Sequence, residues 1–182
     1  MKKNFYISII AVLVIGFYAC SGKSNTANSN KNAESKKEAI DTSDTRLAND
    51  LSIFCTSQIN AAQLAETKAL TSKVKAFAEQ TKEQYMKLNK NLNRIAESYQ
   101  VRLPAALSVT SENNFKDLKR VKGASFDHAY LLQMLKDHNG MIRRINAAKN
   151  IQCFPIKLFV ISNQAAIIKT AYVLSDLKDQ TP

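Results

Sequence analysis

The sequence predicts an all-α fold, a four-helix bundle with an extra short helix between the second and third long helices. Three observations predict it. Beyond the apolar N-terminus, glycine is confined to Gly22, Gly123 and Gly140, and proline to Pro104, Pro155 and Pro182, which leaves four long uninterrupted segments. Within them apolar residues recur at alternating steps of four and three, the period of one helix face. No run alternates apolar with polar residues as a half-buried strand does.

The first segment predicts a helix over about 45–70, with Leu47, Leu51, Phe54, Gln58, Ala61 and Ala65 on one seam and Ser43 or Asp44 as its N-cap. The second opens at Thr71 and Ser72 and aligns Phe77, Thr81, Tyr85, Leu88, Leu92, Ile95 and Tyr99. It stops before Pro104, because a proline pushes the preceding residue out of the α region. The short helix takes Ser111 as N-cap, Phe115 and Leu118 as apolar contacts and Gly123 as its stop. The third long helix starts near Ser125 and carries Asp127, Leu131, Met134, His138, Met141, Ile145 and Ala148. The fourth begins at Pro155, which suits a first helical turn, and its seam is Leu158, Ile161, Ala165, Ile168 and Tyr172. Apolar residues wrap much of its circumference, so it is expected to be the most buried element.

Ahead of this domain lies an export signal. Lys2 and Lys3 precede an apolar stretch that runs to Phe17 and closes on Tyr18-Ala19-Cys20. From Phe5 to Ala19 there are 15 residues, short of the roughly 20 that span a bilayer. The stretch resembles the lipobox of bacterial lipoproteins, in which the cysteine is acylated and becomes the mature N-terminus, although Phe17 stands where leucine is usual. The resemblance implies lipidation at Cys20, with residues 1–19 as signal peptide; simple cleavage or a retained anchor are the alternatives. Ser21 is not the aspartate that retains lipoproteins at the inner membrane, so a lipid-anchored protein of the cell envelope is expected, at the outer membrane and facing the periplasm. Residues 20–44 contain one large aliphatic residue, Ile40, and read as a solvated leash of roughly 25 to 30 Å root-mean-square span ahead of a single domain at 45–178.

The formal charge is +11. Two of the 26 basic residues lie in the signal segment, which leaves 24 against 15 acidic ones, a balance of +9. The basic residues are spread along the helices, clustering only at Lys116, Lys119, Arg120 and Lys122 and at Arg143 and Arg144. Such spread charge reads first as solvated helix faces; outside the cytoplasm its anionic neighbours are lipid headgroups, lipopolysaccharide or acidic glycans, envelope proteins are the other expected partners, and no nucleic-acid partner is expected.

The block VKAFAEQTKEQYMKLNKNL from Val74, the string GASFDHAYLLQMLKDH from Gly123, and Arg102-Leu103-Pro104 between them resemble DUF4142, a family of exported bacterial proteins of unknown function with a ferritin-like bundle. The resemblance covers nearly all of 47–177. The family pattern sets a glutamate in the first helix, an Asp-His pair in the second and a histidine in each of the last two, a set that on facing helices implies a metal or redox site. Those positions fall on Gln58, on Gln84 and Tyr85, on His138 and on Thr170, so only His138 is kept. The resemblance therefore leaves a residual polar core, with His138 as the remaining metal candidate in a metal-binding or stress-response reading.

Other chemistry is poorly supplied. Neutral amide, phenol and imidazole groups cannot provide the charge that a divalent iron pair needs, and no Glu-x-x-His precedes either histidine. His128 and His138 are about 15 Å apart along one helix, too far for one ion. There is no Gly-x-Ser-x-Gly elbow and no phosphate-cradling glycine loop. Neither an enzyme nor a cofactor is expected. Cys55 and Cys153 allow a disulfide in an oxidising compartment if the chain has the ferritin-like order, which brings the starts of the first and fourth long helices to one end. Two buried thiols are the equal alternative.

Overall fold

The computed structural model describes residues 40–148 and 150–181. The signal segment and Cys20 lie outside the described residues. Five helices and no strand occur among those described: α1 (Thr42–Lys68), α2 (Ser72–Glu97), α3 (Val109–Arg120), α4 (Ser125–Ala147) and α5 (Phe154–Asp179).

The predicted seams of α1, α2 and α4 are the buried ones, from Leu47 through Ala65, Phe77 through Leu92 and Asp127 through Ile145. Two cores result. One joins Leu47, Leu51, Leu88, Leu92, Met141, Ile145 and Ile156 near the start of α1. The other sets the small residues Ala61, Ala62 and Ala65 against Phe126, Tyr130 and Met134, so that alanine on α1 makes room for aromatic rings on α4.

Helix order follows from contacts between distant residues. The Asp44 carboxylate at the start of α1 accepts from the backbone N–H groups of Gln152 (2.9 Å) and Cys153 (2.6 Å), just ahead of α5. At the opposite end, Asp127 at the start of α4 accepts from Leu70 N–H (2.9 Å) and Thr71 N–H (2.8 Å), in the α1–α2 turn. Lys68, also at that end, donates to the Lys119 carbonyl where α3 finishes (2.7 Å). The long helices therefore run up, down, down and up, with α3 returning the chain along the bundle. This is the ferritin-like order.

Several boundaries differ from the sequence reading. The α1 N-cap is Asp41, which accepts from Ser43 N–H (3.3 Å), so residues 42–44 are helical rather than leash and Ile40 packs on the core. Asp44 is unavailable as a cap because it is turned inward to the α5 start. Ser108, not Ser111, caps α3 by accepting from the Ser111 N–H (3.2 Å). That helix closes on an extended Val121, and Gly123 instead supplies the left-handed residue (φ +63°) that turns the chain into α4.

The largest difference concerns α5. The residues that bury are Ile156, Phe159, Val160, Ile167, Thr170, Ala171 and Leu174. The expected seam faces solvent: Leu158 is 52% exposed, Ile161 61% and Tyr172 71%, with Ala165 also exposed and Ile168 half-buried. Far from being the most buried helix, α5 carries a second apolar face outside.

Candidate functional site

The polar core lies where the two apolar clusters meet. Tyr85 on α2 and His138 on α4 are both fully buried, with the Tyr85 Oη 2.7 Å from His138 Nε2. On its other side, His138 Nδ1 is 2.7 Å from the Met134 carbonyl one turn earlier in α4. A carbonyl only accepts, so Nδ1 carries the proton and Nε2 presents its lone pair to the Tyr85 hydroxyl, which donates. Phe54 from α1 packs edge-on against both rings at 5.2 Å, completing the enclosure.

This enclosure sets the charge states. Burial pulls the His138 imidazole down to about 4, only partly opposed by the Met134 carbonyl, and it is neutral at pH 7. Burial also pushes the Tyr85 phenol far above its ordinary range, so it stays a donor. The pair is neutral, fully buried and mutually satisfied.

The remaining family positions are not joined into one ligand set. Thr170 stands beside the Tyr85 phenol, but its hydroxyl donates to the Ala166 carbonyl of its own helix (2.9 Å). Gln84 is turned out of the core into a groove between α2 and α5. Gln58 is buried and donates weakly to Asp137 Oδ2 (3.4 Å), leaving its Oε1 without a hydrogen-bond partner. Asp137, which the sequence offers beside His138 only as a weak metal signal, also accepts from Gln133 Nε2 (2.8 Å), and burial raises its carboxyl above the usual range.

A bound metal does not fit these residues. Both His138 nitrogens are engaged, the neighbouring groups are a phenol and an amide, and no group of three or more His, Cys, Asp or Glu side chains occurs among the described residues. A divalent ion would have to break the Tyr85 bond to reach one neutral nitrogen in an apolar shell.

The two buried carboxylates have structural work. Asp44 and Asp127 each accept two backbone N–H groups at the start of a helix on the other side of the chain, where the helix dipole favours negative charge. Their partners are far away in sequence, so period alone could not have found the pairing.

The Cys55–Cys153 bridge is not formed. Both are free thiols. Asp44 fixes Cys153 at its own level, and Cys55 lies eleven residues further along α1, about 16 Å at the helical rise. The ferritin-like order brought the correct ends together, yet the overlap is too small for the Cα spacing of below about 7 Å that a disulfide requires.

The basic clusters are also partly spent. Lys116 pairs with Glu112 (2.8 Å), Arg120 with Asp117 (3.0 Å) and Arg144 with Asp50 (2.7 Å). In the α2–α5 groove Gln80, Gln84, Lys87, Asn91, Asn163 and Lys169 reach into about 520 Å³; no carboxylate lines it, although Lys87 stands 4.0 Å from Glu83 one turn back on α2.

A family model described as DUF4142, domain of unknown function, matches residues 29–167, which takes in Gln58, Gln84, Tyr85, His138 and both carboxylate clamps and stops short of Thr170. The chain belongs to the DUF4142 family. Among solved structures, this DUF4142 bundle is similar to a DUF305 fragment from Deinococcus radiodurans, with a TM-score of 0.62 at 10% identity, over 76% of this chain and 99% of that one. At that identity the likeness concerns the fold alone. A comparison with curated proteins finds no match.

Proposed function

We propose that this DUF4142 chain is a non-catalytic bundle held at a membrane of the cell envelope through a lipid on Cys20, and that it acts by contacts with envelope polymers or proteins. The observation carrying the non-catalytic part is the closed Tyr85–His138–Met134 chain, which engages both nitrogens of the buried imidazole. The anchor rests on the sequence around Cys20. Of the described surfaces, the α2–α5 groove suits an anionic polymer best, because lysine and amide donors line both walls without an opposing carboxylate.

Native protein extracted from membranes provides the test. We expect far less than one metal per chain, and adsorption to an acidic glycan that weakens as salt rises and falls several-fold in Lys87→Glu/Lys169→Glu. Stoichiometric metal that disappears in His138→Ala with the fold intact overturns the non-catalytic reading. Adsorption indifferent to ionic strength overturns the polymer contact, and an unprocessed Cys20→Ala chain that stays membrane-bound at normal levels overturns the anchor.

A further inference from the structure

The outer face of α5 is a heptad seam that no element among the described residues covers. Phe154, Leu158, Ile161, Ala165, Ile168 and Tyr172 follow one another at steps of four, three, four, three and four, the a/d spacing of a coiled coil. The core side of the same helix uses other positions, Ile156, Phe159, Val160, Ile167 and Thr170, so the seam is surplus to folding the monomer. At 70% and 71% exposure, Phe154 and Tyr172 alone leave roughly 200 to 350 Å² of aromatic surface bare, taking about 150–250 Å² per ring side chain. Adding the aliphatic residues between them makes a contiguous patch at the upper end of what monomers expose.

We propose that a second copy of the chain covers this face, with the two α5 helices packed antiparallel about a two-fold axis level with Asn163. The register is self-complementary, as an isologous interface must be. Under that two-fold Phe154 meets the partner's Tyr172, Leu158 meets the partner's Ile168, and Ile161 meets the partner's Ala165. Every layer pairs an a with a d position, and the central layers oppose a large side chain to a small one. A parallel pairing instead sets Phe154, Ile161 and Tyr172 each against itself and Ala165 against Ala165, alternating crowding with a void.

The flanks agree. Lys157 and Lys169 lie on opposite edges of the seam, so the antiparallel register does not bring them together. Lys157 looks across at Gln164 and Ala171 of the partner subunit, and Lys169 at Pro155 and Ser162 of the partner subunit. Opposed helix dipoles add to the preference. The lysine stems on the flanks widen the apolar surface that a partner helix can cover. This association is independent of the anchor and shares only its Lys169 flank with the polymer groove.

The test uses two full-length variants in a Cys153→Ser background, Phe154→Cys and Tyr172→Cys, expressed singly and together and oxidised with copper phenanthroline in native membranes. Linked peptides are read by mass spectrometry. The antiparallel dimer gives a 154–172 link only on co-expression, because like positions stand about 27 Å apart across the two-fold. Adding Ile161→Lys to both chains, at a position exposed enough to leave folding intact by circular dichroism, abolishes the link. Absence of the 154–172 link on co-expression, links within either variant alone at 154 or 172, or a link that survives Ile161→Lys overturns the proposal.

Discussion

The Tyr85 hydroxyl lies 2.7 Å from His138 Nε2, and the same imidazole reaches the Met134 carbonyl through Nδ1. One phenol and one carbonyl thereby use the full hydrogen-bonding capacity of a neutral histidine inside an apolar shell. A residue that could have been a ligand becomes a joint between α2 and α4, and its protonation is tied to folding.

Stability should accordingly depend on this histidine in mild acid. Folded His138 sits at about 4 and an unfolded one near 6.5, so between those values the unfolded chain binds more protons. Stability is full above about 6.5 and is lost as pH falls toward 4, by on the order of 3 kcal/mol over the window. Asp137 works in the opposite sense. Its raised carboxyl favours the folded state below its unfolded pKa, an advantage lost as pH rises through the folded value, and it is present in wild type and His138→Gln alike. Denaturant unfolding at pH 7 and pH 4.5 therefore isolates the histidine as the difference between the two proteins. Equal pH dependence in both rules the linkage out.

The carboxylate clamps should matter more than their lack of chemistry suggests. Asp44→Ala and Asp127→Ala each remove two charge-assisted bonds and leave backbone N–H groups without their partner, at a cost of about 2 to 3 kcal/mol apiece. The sites occupy opposite ends, so the double variant should lose nearly the sum. Hydrogen exchange locates the effect: Asp44→Ala exposes the amides of Gln152 and Cys153, and Asp127→Ala those of Leu70 and Thr71. Unchanged protection at those amides removes the assignment.

The bundle thiols should behave unequally. Cys55 is fully buried and burial pushes its thiol up to about 12, whereas Cys153 is half-exposed ahead of α5. A thiolate reagent at pH 8 labels Cys153 in the native protein and reaches Cys55 only on unfolding. Unreduced protein in which neither reacts after denaturation would restore the disulfide.

Much of the bundle was legible beforehand because most helices are amphipathic. On α1, α2 and α4 the face opposite the seam is mostly charged or polar, with Met86 and Leu132 as isolated exposed apolar residues, so the four-three spacing could belong to only one side, and Tyr85 and His138 were recognisable on it as polar residues at core positions. Boundaries were harder where two acceptors compete. Asp41, Ser43 and Asp44 are all competent N-caps, and Asp44 is removed from contention by an amide 109 residues away.

The order and periodicity of residues by themselves determined that the described residues are helical, with no strand among them, and which faces of three helices turn inward. Tertiary structure alone decided that Asp44 and Asp127 tie distant helix starts, that Cys55 and Cys153 stand too far apart to bridge, and which side of α5 is inside. The reason is clearest on α5, where both faces are apolar. Hydrophobicity specifies that a side chain prefers to leave water, not what it will pack against, and with α4 and α2 covering Phe159, Ile167 and Leu174, the equally regular face of Leu158, Ile161 and Tyr172 is left outside.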